Sequence, residues 1–180
     1  MSNLTTDWLY PAAALVCALA GAVFDVRSRR IPNFISLPGI LFGLALHFSL
    51  GGWRQLGLSA AAGLICGLVF FVFWIAGGMG AGDVKLITAA GCIAGLPEVA
   101  NLLILTAIAG GLMAVALAVW RGRLKETIMN VGALAVHHRF EGLRPHPELN
   151  IGNAGTLRLP YGVAIAAGSA LTLCAAALRR

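Results

Sequence analysis

The chain has 180 residues, of which 59% are hydrophobic and 11% charged, with 23 glycines and a formal net charge of +6. Soluble domains carry roughly a quarter charged residues, so this composition excludes a water-facing surface of this size, and intrinsic disorder with it. A mean hydropathy of +0.86 leaves an all-α polytopic membrane protein. Its positive charge then belongs to loops between apolar runs and implies no nucleic-acid partner.

Six apolar runs follow one another, at about 8–24, 34–50, 56–76, 84–96, 99–120 and 159–178. A bilayer core of about 30 Å takes some twenty helical residues to cross. The third, fifth and sixth runs satisfy this, the first two are at the short end, and the fourth is too short alone. No Lys or Arg precedes the first run, so it lacks the basic start of a cleavable signal and reads as a retained helix. Gly95-Leu96-Pro97-Glu98 separates the fourth and fifth runs as a turn.

Charge supports that division. Six spans with the N-terminus outside put Arg27, Arg29, Arg30, Lys85, Arg121, Arg123, Lys125, Arg139, Arg144 and Arg158 inside, against Arg54, Arg179 and Arg180 outside. This is the direction of the positive-inside rule. The whole chain, 1–180, reads as a single integral-membrane domain with one long cytoplasmic loop, 121–158. Within that loop Leu124, Ile128, Val131 and Leu134 or Ala135 recur at helical spacing, which predicts an amphipathic helix along the inner surface. His137, His138 and His146 lack accompanying cysteines or paired acids, so no metal site is expected. Cys17, Cys66, Cys92 and Cys174 lie in apolar runs without a CxxC pair and read as small core side chains. Three GxxxG spacings (39–43, 63–67, 91–95) predict close helix packing within the bundle.

Two of the seven acids abut hydrophobic helices on the same side: Asp25 ends the first span and Asp83 opens the fourth. If the fourth run ends at the outer interface, Asp83 lies roughly 20 Å from it by helical rise. It would then sit well inside the bilayer, where ionisable groups mark function by default. Gly77, Gly78, Gly80 and Gly82 allow positive φ and close chain approach beside it. Two carboxylates sharing a site do not readily both ionise, so one stays protonated while the other acts as a base, and the pair titrates as a unit. The plainer readings are an interfacial anchor for Asp25 and a helix cap or Lys85 partner for Asp83. A proton relay in a small proton- or cation-coupled transporter is the alternative function. It fits less well, because both acids lie toward one face and no internal repeat is evident. A noncatalytic assembly subunit would leave the glycine-rich segment unexplained.

Gly80-Ala81-Gly82-Asp83 resembles the GxGD motif of intramembrane aspartyl proteases, and the continuation Val84-Lys85-Leu86 resembles type IV prepilin peptidases in particular. Asp25 followed by Ile31-Pro32-Asn33 is similar to the Asp-x5-Ile-Pro-Asn segment of that family. Leu159-Pro160-Tyr161-Gly162 also resembles a recurrent family feature. The resemblance implies a peptidase that removes a basic leader from a prepilin or pseudopilin precursor at the cytoplasmic face of a bacterial inner membrane, in contact with membrane lipids and needing no cofactor. Asp25 and Asp83 would be its catalytic pair, with Gly80, Gly82 and Lys85 shaping the site. Asn33 reads as an N-cap of the second span, and Glu126, Glu141 and Glu148 as acids available to a basic leader. The longer members carry a cysteine-bearing cytoplasmic domain and N-methylate the product. Without such cysteines this chain is similar to the compact Flp/Tad-type peptidases, and methylation is not expected.

Overall fold

The computed structural model describes residues 6–147, 149 and 159–179. Glu148, Arg158 and Arg180 therefore lie outside the described residues. Regular structure among the described residues is helical: α1 (Thr6–Ser28), α2 (Asn33–Ile75), α3 (Ala81–Ala94), a 3-10 turn (Leu96–Glu98), α4 (Val99–Trp120), α5 (Leu124–Glu141) and α6 (Tyr161–Leu178). Among the described residues, four helical stretches are long and apolar enough to cross a membrane: Trp8–Ser28, Asn33–Ile75, Leu96–Trp120 and Tyr161–Leu178.

At 43 residues α2 is about twice the length a bilayer requires. It breaks at Gly52, whose φ of 65° and ψ of −159° belong to a region open essentially to glycine. The contacts show that its two limbs fold back on each other. Gly43 lies against the backbone of Cys92 and Ile93, while the Ser59 hydroxyl donates to the Cys92 carbonyl at 2.7 Å. On a straight helix Gly43 and Ser59 would stand roughly 24 Å apart, yet both reach Cys92. Limb 33–51 runs parallel to α3, and limb 53–75 runs antiparallel to it. The two limbs correspond to the second and third apolar runs of the sequence.

α3 lies between those limbs and is also covered by α1 and α6. Leu86, Ile87 and Ile93 are fully buried on it. Its 14 residues span about 21 Å, so it is the short element the sequence implied. The GxxxG glycines serve this packing: Gly39 faces Cys17 and Ala89, Gly63 and Gly67 face Cys92 and Thr88, and Gly91 faces Cys66. At the far end of α3, His47 donates from Nε2 to the Ile93 carbonyl at 3.1 Å and stacks on Tyr10. Gly95, with φ 80°, turns the chain beneath that imidazole. The expected break before α4 is the 3-10 turn.

α5 forms within the 121–158 loop but buries no residue. Its apolar side chains do not make one face, because Met129, Val136 and Phe140 are exposed along a second stripe beside Ile128 and Val131. The single amphipathic face expected from the spacing is thus corrected. At its start, Arg123 Nε donates to Glu126 at 2.7 Å, and this hydrogen bond holds the Glu126 carboxyl below the usual carboxylate range. The imidazoles of His137 and His138 meet the carbonyls of Arg144 and Gly142 at 3.0 and 2.9 Å. Among the described residues no group of three His, Cys, Asp or Glu side chains is placed to hold a metal ion.

Candidate active site

Three helix ends converge at one end of the bundle: the last turn of α1, the first turn of α3 and the first turn of α6. Asp25 and Asp83, 7% and 9% exposed, belong to the first two of these turns. They line one cleft of about 120 Å3 with Arg29, Gly78, Met79, Gly80, Leu159 and Tyr161. Helices separated by more than fifty residues of sequence therefore bring both acids to a common space.

Each carboxylate is held by a backbone N–H. Asp25 Oδ2 accepts from Gly162 at 2.8 Å. That amide is one of the N–H groups at a helix start that have no partner inside the helix, so α6 gains a partner and Asp25 is oriented. The close approach depends on glycine, since a Cβ at position 162 would stand 2.9 Å from the Asp25 Cβ and 3.2 Å from the Ala22 Cα. Asp83 Oδ2 accepts from Gly80 at 3.1 Å. Asp83 thus caps its own helix, as the plainer reading allowed, while still lining the cleft. The anchor reading of Asp25 fits poorly with its burial, because an anchoring carboxylate stays in the exposed basic stretch.

The other expected site residues divide by role. Gly80 lines the cleft and supplies the Asp83 hydrogen bond. Gly82 acts through packing: a Cβ there would lie 3.1 Å from the Cβ of Ile31, which is buried. It thereby seats the Ile31-Pro32-Asn33 segment against the first turn of α3 and ties the two aspartate motifs together. Among the four glycines of the segment, only Gly77 uses positive φ, at 76°. Lys85 is not among the residues lining the cleft, and its Nζ donates to Asn33 Oδ1 at 3.0 Å. This corrects two expectations at once. Asn33 does not cap α2, whose N-cap residue is Pro32 without a side-chain bond, and Lys85 pairs with Asn33 in place of Asp83.

Sequence reasoning did not place four of the cleft's lining residues, Arg29, Met79, Leu159 and Tyr161. Arg29 was grouped with the basic stretch, but it lines the cleft at a left-handed φ of 53°. Leu159 and Tyr161, with the Gly162 amide, form its α6 wall. The Leu159–Gly162 motif was the available signal, although a proline at a helix start is ordinary and says nothing about partners 137 residues away.

The arrangement can hold a water or a peptide group between two acids while each acid's backbone bond fixes its direction. Comparisons with known proteins bear on the family. The family model of the type IV leader peptidase family matches residues 12–115, a stretch holding both aspartates. Two prepilin leader peptidase/N-methyltransferase proteins of Burkholderia pseudomallei, from strains 1026b and K96243, are each 29% identical over 172 residues, covering 90% of this chain and 45% of theirs. The chain thus spans less than half the length of the curated relatives it matches. No solved structure matches it. On the strength of the family match, this chain is a member of the type IV leader peptidase family.

Proposed function

We propose that the chain is an intramembrane aspartyl endopeptidase that cleaves the basic leader from a prepilin or pseudopilin precursor. One observation carries this reading: Asp25 and Asp83, from separate helices, line a single cleft and each accepts a backbone hydrogen bond there. The peptidase half of the relatives' name is taken over, because paired carboxylates are a hydrolytic arrangement.

Two carboxyls in one site share a proton, which leaves one base and one acid. The ionised member takes a proton from water as the water oxygen bonds to the carbonyl carbon of the scissile amide. The neutral member gives its proton to the carbonyl oxygen, forming a gem-diol. As the diol collapses, one hydroxyl proton returns to a carboxylate and the C–N bond breaks. The departing nitrogen takes a proton from the other acid and leaves as the amine of the mature helix. The pair ends with the single proton it held at the start.

The proposed topology has six spans with the N-terminus outside, counting the limbs of α2 separately and α3 as a short span. It places the cleft toward the cytoplasm of the inner membrane, where the ten basic residues gather and a basic leader remains after its apolar helix inserts. With the Arg123–Glu126 bond in place, the cleft acids are the better-placed attraction for a basic leader. A transporter would need acids reachable from alternating sides, whereas both aspartates belong to one cleft.

The test is co-expression with a candidate precursor and gel mobility of the product. Asp25→Asn and Asp83→Asn should each abolish the mobility shift while the protein accumulates in membranes. Processing above background by either variant would reject the pair.

A further inference from the structure

Tyr161 stands in the cleft beside both aspartates, and its hydroxyl forms no hydrogen bond among the described residues. Its ring is held by its neighbours. A Cβ added to Gly110 of α4 would lie 3.6 Å from the ring's Cε1, and the ring packs against the buried core as well. The next residue in the chain donates the amide that orients Asp25. The ring is therefore fixed in register with the acid pair, while its one polar atom is left without a partner. Phenol hydroxyls in apolar surroundings normally find an acceptor, and a bound peptide backbone brings carbonyl oxygens into this cleft.

We propose that Tyr161 is a third catalytic group, whose hydroxyl donates a hydrogen bond to the carbonyl oxygen of the amide being cut. The inference rests on the peptidase reading. That oxygen has two lone pairs: the protonated aspartate takes one and Tyr161 the other. As water adds to the carbon, electron density moves onto the oxygen and both hydrogen bonds strengthen, so the contribution falls on the transition state more than on binding. Tyr161 keeps its proton throughout. The titratable and charged side chains facing it in the cleft are Asp25 and Arg29 from the end of α1 and Asp83 from α3.

The test compares the full-length protein in lipid nanodiscs with its Tyr161→Phe variant, which loses only the oxygen. The substrate is a synthetic precursor with a basic leader ahead of an apolar helix. The expected result is a kcat lower by on the order of 100-fold, with KM and Tm close to wild type. Installing 3-fluorotyrosine at 161, which keeps the donor, should restore the rate even if the phenylalanine variant is also less stable. Wild-type kcat in Tyr161→Phe, or failure of 3-fluorotyrosine to restore a lost rate, would overturn the proposal. Asp25→Asn and Asp83→Asn run alongside: if they cleave like wild type, the peptidase reading itself has failed, whatever Tyr161 does.

Discussion

The two ends of the bundle both bury acids but use them differently. Opposite the cleft, Glu98 is 8% exposed. Its two oxygens accept Arg179 Nη2 at 2.9 and 2.7 Å, and Asn101 Nδ2 adds a third bond at 2.8 Å. That carboxylate is neutralised and fastens the end of α6 to the start of α4. At the cleft end, Asp25 and Asp83 are each oriented by a backbone N–H, share their cleft with Arg29, and face a space large enough for another molecule. A buried charge paired with a cation is a fastening, and breaking it leaves an uncompensated charge. Two buried carboxylates kept together at one cleft are an expense that structure alone does not explain, which is why buried acids so arranged point to chemistry.

Substitutions can break this comparison, and their expected effects fall in a clear order. Asp25→Asn or Asp83→Asn should cut precursor cleavage by at least about 1000-fold, with thermal stability retained. Gly162→Ala comes next, because its Cβ would collide with Asp25 and the backbone of α1. Cleavage assayed on membrane-extracted protein should fall by on the order of 100-fold, more than its loss in accumulation explains. Glu98→Gln should do the reverse. Its Arg179 partner is half exposed, so the cost is about 1–2 kcal/mol, read as a lower Tm in detergent with normal cleavage per folded molecule. Lys85→Met, which removes an exposed bond to Asn33, should change stability by less than about 0.5 kcal/mol. If Lys85→Met abolished cleavage in folded protein, Lys85 would act on the acid pair beyond its bond to Asn33.

Much of this was legible in the sequence, for identifiable reasons. The apolar runs marked the helices, and the Gly95–Glu98 segment marked the break between α3 and α4, because turn chemistry is local. Gly52 was not singled out, although the gap between the runs at 34–50 and 56–76 put a break in the stretch that contains it. Asp25 and Asp83 were found because acids beside apolar helices are conspicuous and their motifs are specific. The α6 wall was not found, since the Gly162–Asp25 hydrogen bond depends on how α6 docks against α1, and no periodicity encodes that. Asn33 misled for a related reason: its side chain suits a cap, but a lysine 52 residues away claims it. α5 misled through its apolar residues, which match helical spacing on two stripes, so choosing one stripe gave an amphipathicity the helix lacks.

The arrangement of the acid pair can be tested directly in a chain whose native cysteines, Cys17, Cys66, Cys92 and Cys174, are replaced. Cysteines are introduced by Asp25→Cys and Asp83→Cys, and a short, membrane-impermeant cross-linker with two thiol-reactive electrophilic ends is applied to right-side-out and inverted vesicles. The account predicts that both positions react from the cytoplasmic side and join in one intramolecular cross-link. Reaction of the two thiols from opposite sides of the membrane, or from one side without a cross-link, would contradict a shared cleft.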